Sequence, residues 1–108
     1  MSEPFEIDTP ALKARLDGER PPALLDVREG WERDIVAIDN SIAIPMGDIP
    51  RRVAELPRDT PLAVMCHHGG RSAQVTGWLR QQGFDNAFNV AGGIDAWARL
   101  VDPSLSRY

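Results

Sequence analysis

Short apolar runs alternate along the chain with stretches in which apolar residues recur at helical spacing. The run at 62–65 is apolar throughout, as expected of a strand that is buried on both faces of a sheet. The predicted strands are 5–7, 23–27, 41–44, 62–65 and 87–90. Because helical stretches separate these strands, the pattern predicts an α/β fold with a mainly parallel central sheet and helices on both faces.

Residues that favour helix ends indicate where two of the intervening helices begin. Thr9 is the expected N-cap of the first helix, with Pro10 in its first turn and Gly18 closing it. Asp48 is the expected cap of a helix over 49–56. Both helices would lie between predicted strands, as the α/β pattern requires.

Apolar spacing predicts the buried faces of three further helices. The residues expected to face inwards are Trp31 and Ile35 in the first, Val75, Trp78 and Leu79 in the second, and Ile94, Trp97 and Leu100 in the third. Gly83 stands where a C-cap glycine is expected after the second. All three tryptophans are therefore predicted to fill the core. We expect residues 1–108 to form a single domain, with 102–108 as a tail on its surface.

Composition and charge narrow the class of protein. The 108 residues carry a formal net charge of −4, which argues against nucleic acid or an anionic membrane as a partner. No apolar stretch is long enough to span a bilayer, and the first residues do not resemble a secretory signal. A single cysteine forms no internal disulfide. We therefore expect a cytoplasmic protein whose cysteine is either a buried apolar residue or a reactive thiol.

The cysteine stands in a segment whose composition favours reactivity. Cys66 follows the predicted strand 62–65 and precedes a helix, the position at which open α/β sheets bind ligands. Gly69 and Gly70 allow a tight loop whose N–H groups converge with those of the helix to form an anion nest. We expect that nest and Arg71 to stabilise a thiolate and lower the pKa of Cys66. A guanidinium at this position also suits an oxyanion donor such as thiosulfate.

The other polar side chains of this segment are expected to have less direct roles. His67 and His68 are predicted to be solvated or to support the site, with direct catalysis by either as the alternative. Ser72 is expected to cap the helix, since no separate base is visible to make it a nucleophile. A metal site on Cys66, His67 and His68 is disfavoured, because adjacent ligands diverge and the sequence offers no second Cys or His cluster.

Three segments together resemble the rhodanese-like sulfurtransferases. The loop Cys-His-His-Gly-Gly-Arg-Ser at 66–72 resembles the active-site signature Cys-x-x-Gly-x-Arg-Ser of that family. Leu-Asp-Val-Arg-Glu at 25–29 resembles its early box, and Gly-Gly-Ile-Asp-Ala-Trp at 92–97 resembles its late box. The three segments lie in the order that the family shows, and the resemblance covers nearly the whole chain.

The resemblance implies a mechanism and a set of site residues. In the family, a cysteine thiolate takes the outer sulfur of a donor as a persulfide and passes it to an acceptor, without a metal or an organic cofactor. Cys66 is thus the expected nucleophile, the loop amides hold the persulfide, and Arg71 helps to bind an anionic donor. A thiol, a protein or, in the test tube, cyanide is the expected acceptor. Asp26 and Arg28 of the early box are expected to be a structural pair near the site.

The chain departs from the family pattern ahead of its third predicted strand. Family members often carry His-Ile-x-Gly-Ala there, whereas this chain has Ala-Ile-Asp-Asn-Ser at 37–41. Asn40 stands where glycine is usual, and asparagine is among the few residues that adopt left-handed backbone readily. We therefore expect the turn to be kept.

Two other functions remain open for this loop. A cysteine phosphatase or arsenate reductase also holds an anion between Cys and Arg, but those loops resemble Cys-x-x-x-x-x-Arg. Here only four residues separate Cys66 from Arg71, which suits a single sulfur atom better than a tetrahedral oxyanion. A non-catalytic rhodanese-like binding module is the second alternative, although the chain keeps its cysteine, glycines and arginine.

Overall fold

A five-stranded, entirely parallel sheet forms the centre of the molecule in the computed structural model, which describes residues 3–108. The strands are Glu6–Ile7 (β1), Ala23–Asp26 (β2), Ile42–Ala43 (β3), Leu62–Met65 (β4) and Ala87–Val90 (β5), in the order β1-β5-β4-β2-β3. The helices are Thr9–Leu16 (α1), Gly30–Ile35 (α2), Ile49–Arg52 (α3), Gly70–Gln81 (α4) and Gly93–Leu100 (α5). The predicted α/β class and parallel sheet are therefore confirmed.

Two apolar clusters cover opposite faces of this sheet. Side chains of β4 alternate between them, with Val64 in one cluster and Ala63 and Met65 in the other. The first cluster is completed by residues of α3 and α4, and the second by residues of α1 and α5. Because helices cover both faces, all four residues of β4 are buried. This central strand leads directly into Cys66.

The helix starts differ from the predicted ones in two places. Asp8, and not Thr9, is the N-cap of α1, because its carboxylate accepts the N–H of Ala11 at 2.9 Å. The predicted helix over 49–56 is only one α-helical turn, α3, between 3₁₀ turns at Met46–Asp48 and Val53–Glu55. The predicted cap Asp48 makes no capping side-chain hydrogen bond there. Gly83 does follow α4 with a φ of +92°, as a helix-ending glycine should.

Three of the apolar side chains predicted to face inwards are instead exposed. Trp31 and Ile35 of α2 and Leu100 of α5 lie at the surface, with Trp31 63% exposed. The side chain of α2 that is buried is Glu32, because it forms an ion pair beneath the helix. A buried carboxylate and its ion pair have therefore set the orientation of α2, against the apolar pattern.

The chain between α2 and β3 keeps the turn expected for Asn40. Its φ is +66°, the left-handed conformation that asparagine adopts more readily than other side-chain-bearing residues. The replacement of the usual glycine is thus accommodated at this position.

Candidate active site

Cys66 lies at the carboxyl edge of the sheet, immediately after β4. The neighbouring strand β2 ends at the same level, since Asp26 pairs in register with Met65. The cysteine is 1% exposed and lies at the base of the loop that leads into α4. The structure therefore places Cys66 where open α/β sheets carry ligand sites.

Three hydrogen-bond donors surround the sulfur atom. The amide of Gly69 lies 3.1 Å from Sγ, the amide of Ser72 3.4 Å, and the hydroxyl of Ser72 3.3 Å. Burial raises the pKa of the Cys66 thiol, but these donors stabilise the thiolate and the net effect is a lowered pKa. The predicted convergence of loop amides on the sulfur is confirmed.

Ser72 has a different place from the one predicted. Helix α4 begins at Gly70 and its N-cap is Gly69, which has a left-handed φ of +108°. Ser72 is therefore inside the first turn, where its side chain is fully buried and faces the sulfur. It donates to Cys66 and does not cap the helix.

The loop is held from behind by the start of α5. The amide of Ile94 donates to the carbonyl oxygen of Cys66 at 2.9 Å, and the amide of Asp95 donates to that of His67 at 3.1 Å. Gly93 makes this approach possible, because an added Cβ would overlap the Cys66 carbonyl oxygen and lie 2.5 Å from that of His67. The late Gly-Gly box thus serves as the support of the cysteine loop.

A buried asparagine on β5 also holds the loop, and the sequence analysis missed it. Asn89 donates from Nδ2 to the carbonyl oxygen of Gly69 at 3.2 Å and to Glu6 Oε1 at 2.8 Å. It therefore fixes the peptide next to the amide that contacts sulfur. The sequence did contain one sign of this role, a polar residue inside a predicted strand that is otherwise apolar.

Arg71 does not stand free beside the sulfur. Its guanidinium forms a two-point ion pair with the buried carboxylate of Glu32, with N–O distances of 2.7 and 2.8 Å. The pair lowers the pKa of Glu32 to about 2, mainly through the hydrogen bonds from Arg71 and against the opposing effect of burial. Glu32 was not among the predicted site residues, and no local pattern links it to a residue 39 positions away.

Asp26 and Arg28 form the ion pair that was expected of them. The guanidinium of Arg28 is fully buried, with Nη2 2.7 Å from Asp26 Oδ2. It also donates to the carbonyl oxygens of Glu32 and Val36, which ties the end of β2 to α2. Arg33 shares the Asp26 carboxylate at 2.7 Å.

Tyr108 connects the early box to the cysteine loop. Its hydroxyl accepts a hydrogen bond from Arg28 at 3.0 Å and donates one to Glu32 Oε1 at 2.8 Å. Its ring stacks on His67 with centroids 3.8 Å apart. Residues 102–108 are exposed or partly exposed, and the Tyr108 side chain is partly buried at the site. The expectation of a surface tail did not include these contacts of Tyr108.

The two histidines occupy different surroundings. His67 lies between Tyr108 and His68, and burial together with the charge of His68 lowers the pKa of His67. Among residues 3–108, its Nε2 has no hydrogen-bond partner. His68 is exposed. Together with Asp95 they place one potential ligand atom each within 4.8 Å of one another, although the Asp95 carboxylate is already paired with Arg99 and Arg107.

Comparisons with known proteins agree with this geometry. Residues 8–100 match the Rhodanese-like domain family. The chain belongs to the rhodanese-like family. A protein of Allochromatium vinosum named Sulfurtransferase is 38% identical over 94 residues, which cover 87% of this chain and 88% of that protein. Relatives of this rhodanese-like chain thus include proteins named as sulfurtransferases.

Solved structures confirm the rhodanese fold. The crystal structure of a rhodanese-like domain protein from Staphylococcus aureus has a TM-score of 0.83 at 33% identity, covering 97% of this chain and 99% of that one. A rhodanese-related protein from Thermoplasma volcanium has a TM-score of 0.81 at 35% identity, covering 89% and 92%. Within residues 3–108, none of the helices is long and apolar enough to cross a membrane.

Proposed function

We propose that this protein transfers sulfane sulfur from a donor such as thiosulfate to a thiophilic acceptor through a persulfide on Cys66. The observation that carries the proposal is the set of donors around Sγ, two backbone N–H groups and the Ser72 hydroxyl. These groups stabilise a negative charge on sulfur in a site that is otherwise buried. The same donors can stabilise both the thiolate and the persulfide anion.

The reaction balances without a cofactor. The Cys66 thiolate attacks the outer sulfur of thiosulfate, the S–S bond of the donor breaks, and sulfite leaves with the electron pair, which gives Cys66–S–S⁻. A thiolate or cyanide then attacks the outer sulfur of the persulfide and restores the Cys66 thiolate. The acceptor leaves as a persulfide or, from cyanide, as thiocyanate. Sulfur oxidation states change only by exchange between the partners, as in thiol–disulfide exchange.

The contacts of Arg71 give less support to the alternative of a phosphatase that binds an oxyanion. A phosphatase loop needs its arginine to bind a tetrahedral anion over the sulfur, whereas this guanidinium binds the carboxylate of Glu32 at two points. The binding-module alternative predicts a folded protein with a titratable thiol that accepts no sulfur.

Intact-mass measurement tests the proposal. The purified protein should gain one sulfur atom on incubation with thiosulfate or a thiol persulfide, and lose it to cyanide with release of thiocyanate. Cys66→Ser, a nearly isosteric control, should remain folded and gain nothing, with a loss of turnover of at least about 10³-fold because the nucleophile is absent. Absence of any gain in folded protein with a titratable thiol would favour the binding module instead.

A further inference from the structure

The charge of the only arginine in the cysteine loop is cancelled by a buried carboxylate. Arg71 is 36% exposed in its side chain, so solvent and a donor can reach it, but both of its terminal nitrogens bind Glu32. Thiosulfate carries two negative charges and would have to share or displace that carboxylate. The arrangement is therefore unfavourable for a dianion at the position where a free guanidinium would attract one.

Glu32 is itself fixed by more than its ion pair. The amide of Glu29 donates to Oε2 at 2.8 Å, and the hydroxyl of Tyr108 donates to Oε1 at 2.8 Å. The Glu32 side chain is 4% exposed. Since both oxygens are held from the side of the protein, Glu32 cannot turn away to release Arg71 at small cost.

The other arginines around the loop do not contact the sulfur. Arg28 and Arg33 share Asp26, and Arg99 and Arg107 share Asp95, so each group keeps one net positive charge. The donors that do contact the sulfur include two backbone amides at the start of α4. Those amides do not depend on the charge of residue 32, so a change there isolates the contribution of the guanidinium.

We propose that Glu32 is a specificity-determining residue which, by holding Arg71, makes the site select sulfur donors of low charge, the persulfides of thiols, over the thiosulfate dianion. A thiol persulfide carries at most one charge on the transferred group. In the step, Cys66–S⁻ attacks the outer sulfur of R–S–SH, giving Cys66–S–SH and the thiolate R–S⁻. This inference rests on the proposed sulfur transfer and names the donor class for the same site.

The decisive experiment compares two donors in wild-type protein and in Glu32→Gln. The amide keeps the size of the side chain and one acceptor for Arg71, but it no longer cancels the charge. We expect the KM for thiosulfate to fall about tenfold, so that use of thiosulfate rises relative to the persulfide of mercaptoethanol by at least about fivefold. Asp34→Asn removes one exposed charge from the same helix, at a residue that does not pair with Arg71, and should leave that ratio unchanged.

Salt dependence in wild type and in Glu32→Gln tests the same inference by a second measurement. A cancelled guanidinium predicts that the KM for thiosulfate rises less steeply between about 20 and 300 mM salt in wild type than in Glu32→Gln, since the variant has one more positive charge to screen. If Arg71 were already free in wild type, the two proteins would show the same rise. Circular dichroism checks that Glu32→Gln is folded before the two responses are compared.

The possible outcomes separate this inference from the proposed function. Sulfur on Cys66 with the same salt response in wild type and Glu32→Gln, or with an unchanged donor ratio in Glu32→Gln, overturns the role of Glu32 and leaves sulfur transfer standing. A ratio that shifts equally in Asp34→Asn also overturns it, because the effect would then be one of net charge. Failure of both donors to load Cys66 removes the proposed function and this inference together.

Discussion

The loops that follow β2 and β4 lie side by side at the same edge of the sheet, and each surrounds its central polar group by opposite means. After β2, the Arg28 guanidinium is surrounded by oxygen atoms from Asp26, Val36, Glu32 and Tyr108. After β4, the Cys66 sulfur is surrounded by N–H and O–H donors. One loop therefore stabilises a buried cation, and the other favours the ionised form of a buried thiol.

The two loops differ in which groups make these contacts. The cation is enclosed by long side chains and carbonyl oxygens that make direct contact, and it has no exposed surface. The sulfur is enclosed mainly by backbone amides, whose positions depend on how the loop is held and not on which side chains it carries. The first arrangement fixes the scaffold, whereas the second suits the reactive thiolate of the proposed function, because its charge would be stabilised in advance.

Gly93→Ala should have the largest of the predicted effects, because it disrupts the loop that follows β4. The new Cβ would overlap the carbonyl oxygens of Cys66 and His67, and the φ of +57° is itself unfavourable for alanine. We expect a loss of about 4 kcal/mol in the free energy of unfolding, from overlap and left-handed backbone together, measured by urea denaturation. Where protein remains folded, its rate of sulfur transfer should fall more than its stability alone explains.

Gly77→Ala is the matched control for that substitution. Gly77 lies inside α4 with open space where the Cβ would be, so alanine should stabilise the helix by about 1 kcal/mol. If Gly93→Ala were as stable as wild type, the contact between α5 and the cysteine loop would not be the support that the structure indicates.

How much of this site the sequence predicts depends on how far apart the interacting residues lie along the chain. Cys66, its loop and helix α4 are contiguous, so strand periodicity, glycines and helix signals sufficed to predict them. The support from Gly93 was predicted only as a family box, because its meaning depends on the carbonyl oxygens that it approaches. Asn89 was missed for the same reason, since its partner Gly69 is 20 positions away.

The charged network shows the limit of pattern-based prediction most clearly. Apolar spacing assigned Trp31 to the core, yet the ion pair of Glu32 turns that tryptophan outwards. Periodicity treats every carboxylate as a surface group, although a buried one held in an ion pair can determine which face of a helix packs inwards. The contact of Tyr108 with Glu32 spans 76 positions, and no local signal in the sequence predicts it.

Arg28→Lys should have the next largest of the predicted effects, because it weakens the loop that follows β2. Lysine keeps the positive charge but cannot reach Asp26, Val36 and Tyr108 at once, because its three donors sit on one atom. Loss of these buried hydrogen bonds should cost about 3 kcal/mol in the free energy of unfolding.

The same exchange at the surface provides the control. Arg51→Lys alters a pair with Asp48 whose arginine side chain is 70% exposed, and it should change the stability by less than about 0.5 kcal/mol. Equal effects of the two exchanges, measured by urea denaturation under the same conditions, would mean that the enclosure of Arg28 contributes no more than an ordinary surface pair.

Low pH should have the smallest of the three predicted effects, by weakening the ion pair of Glu32 and Arg71 that links the two loops. The Glu32 carboxyl has a pKa of about 2 in the folded protein, against 4.5 for an unperturbed one, chiefly because of its hydrogen bonds from Arg71. A carboxyl pKa that is lower in the folded state stabilises the protein at pH values above the unfolded pKa, and this contribution is lost as the pH falls from about 4.5 towards 2.

We expect the stability difference between wild type and Glu32→Gln to shrink by about 2 kcal/mol between pH 5 and pH 3. Urea unfolding of both proteins across that range measures it, since titration of the other carboxylates is common to the two. A difference that stays constant with pH would mean that the Glu32 carboxyl gains nothing from its ionised form on folding, and that the two loops are joined by packing alone.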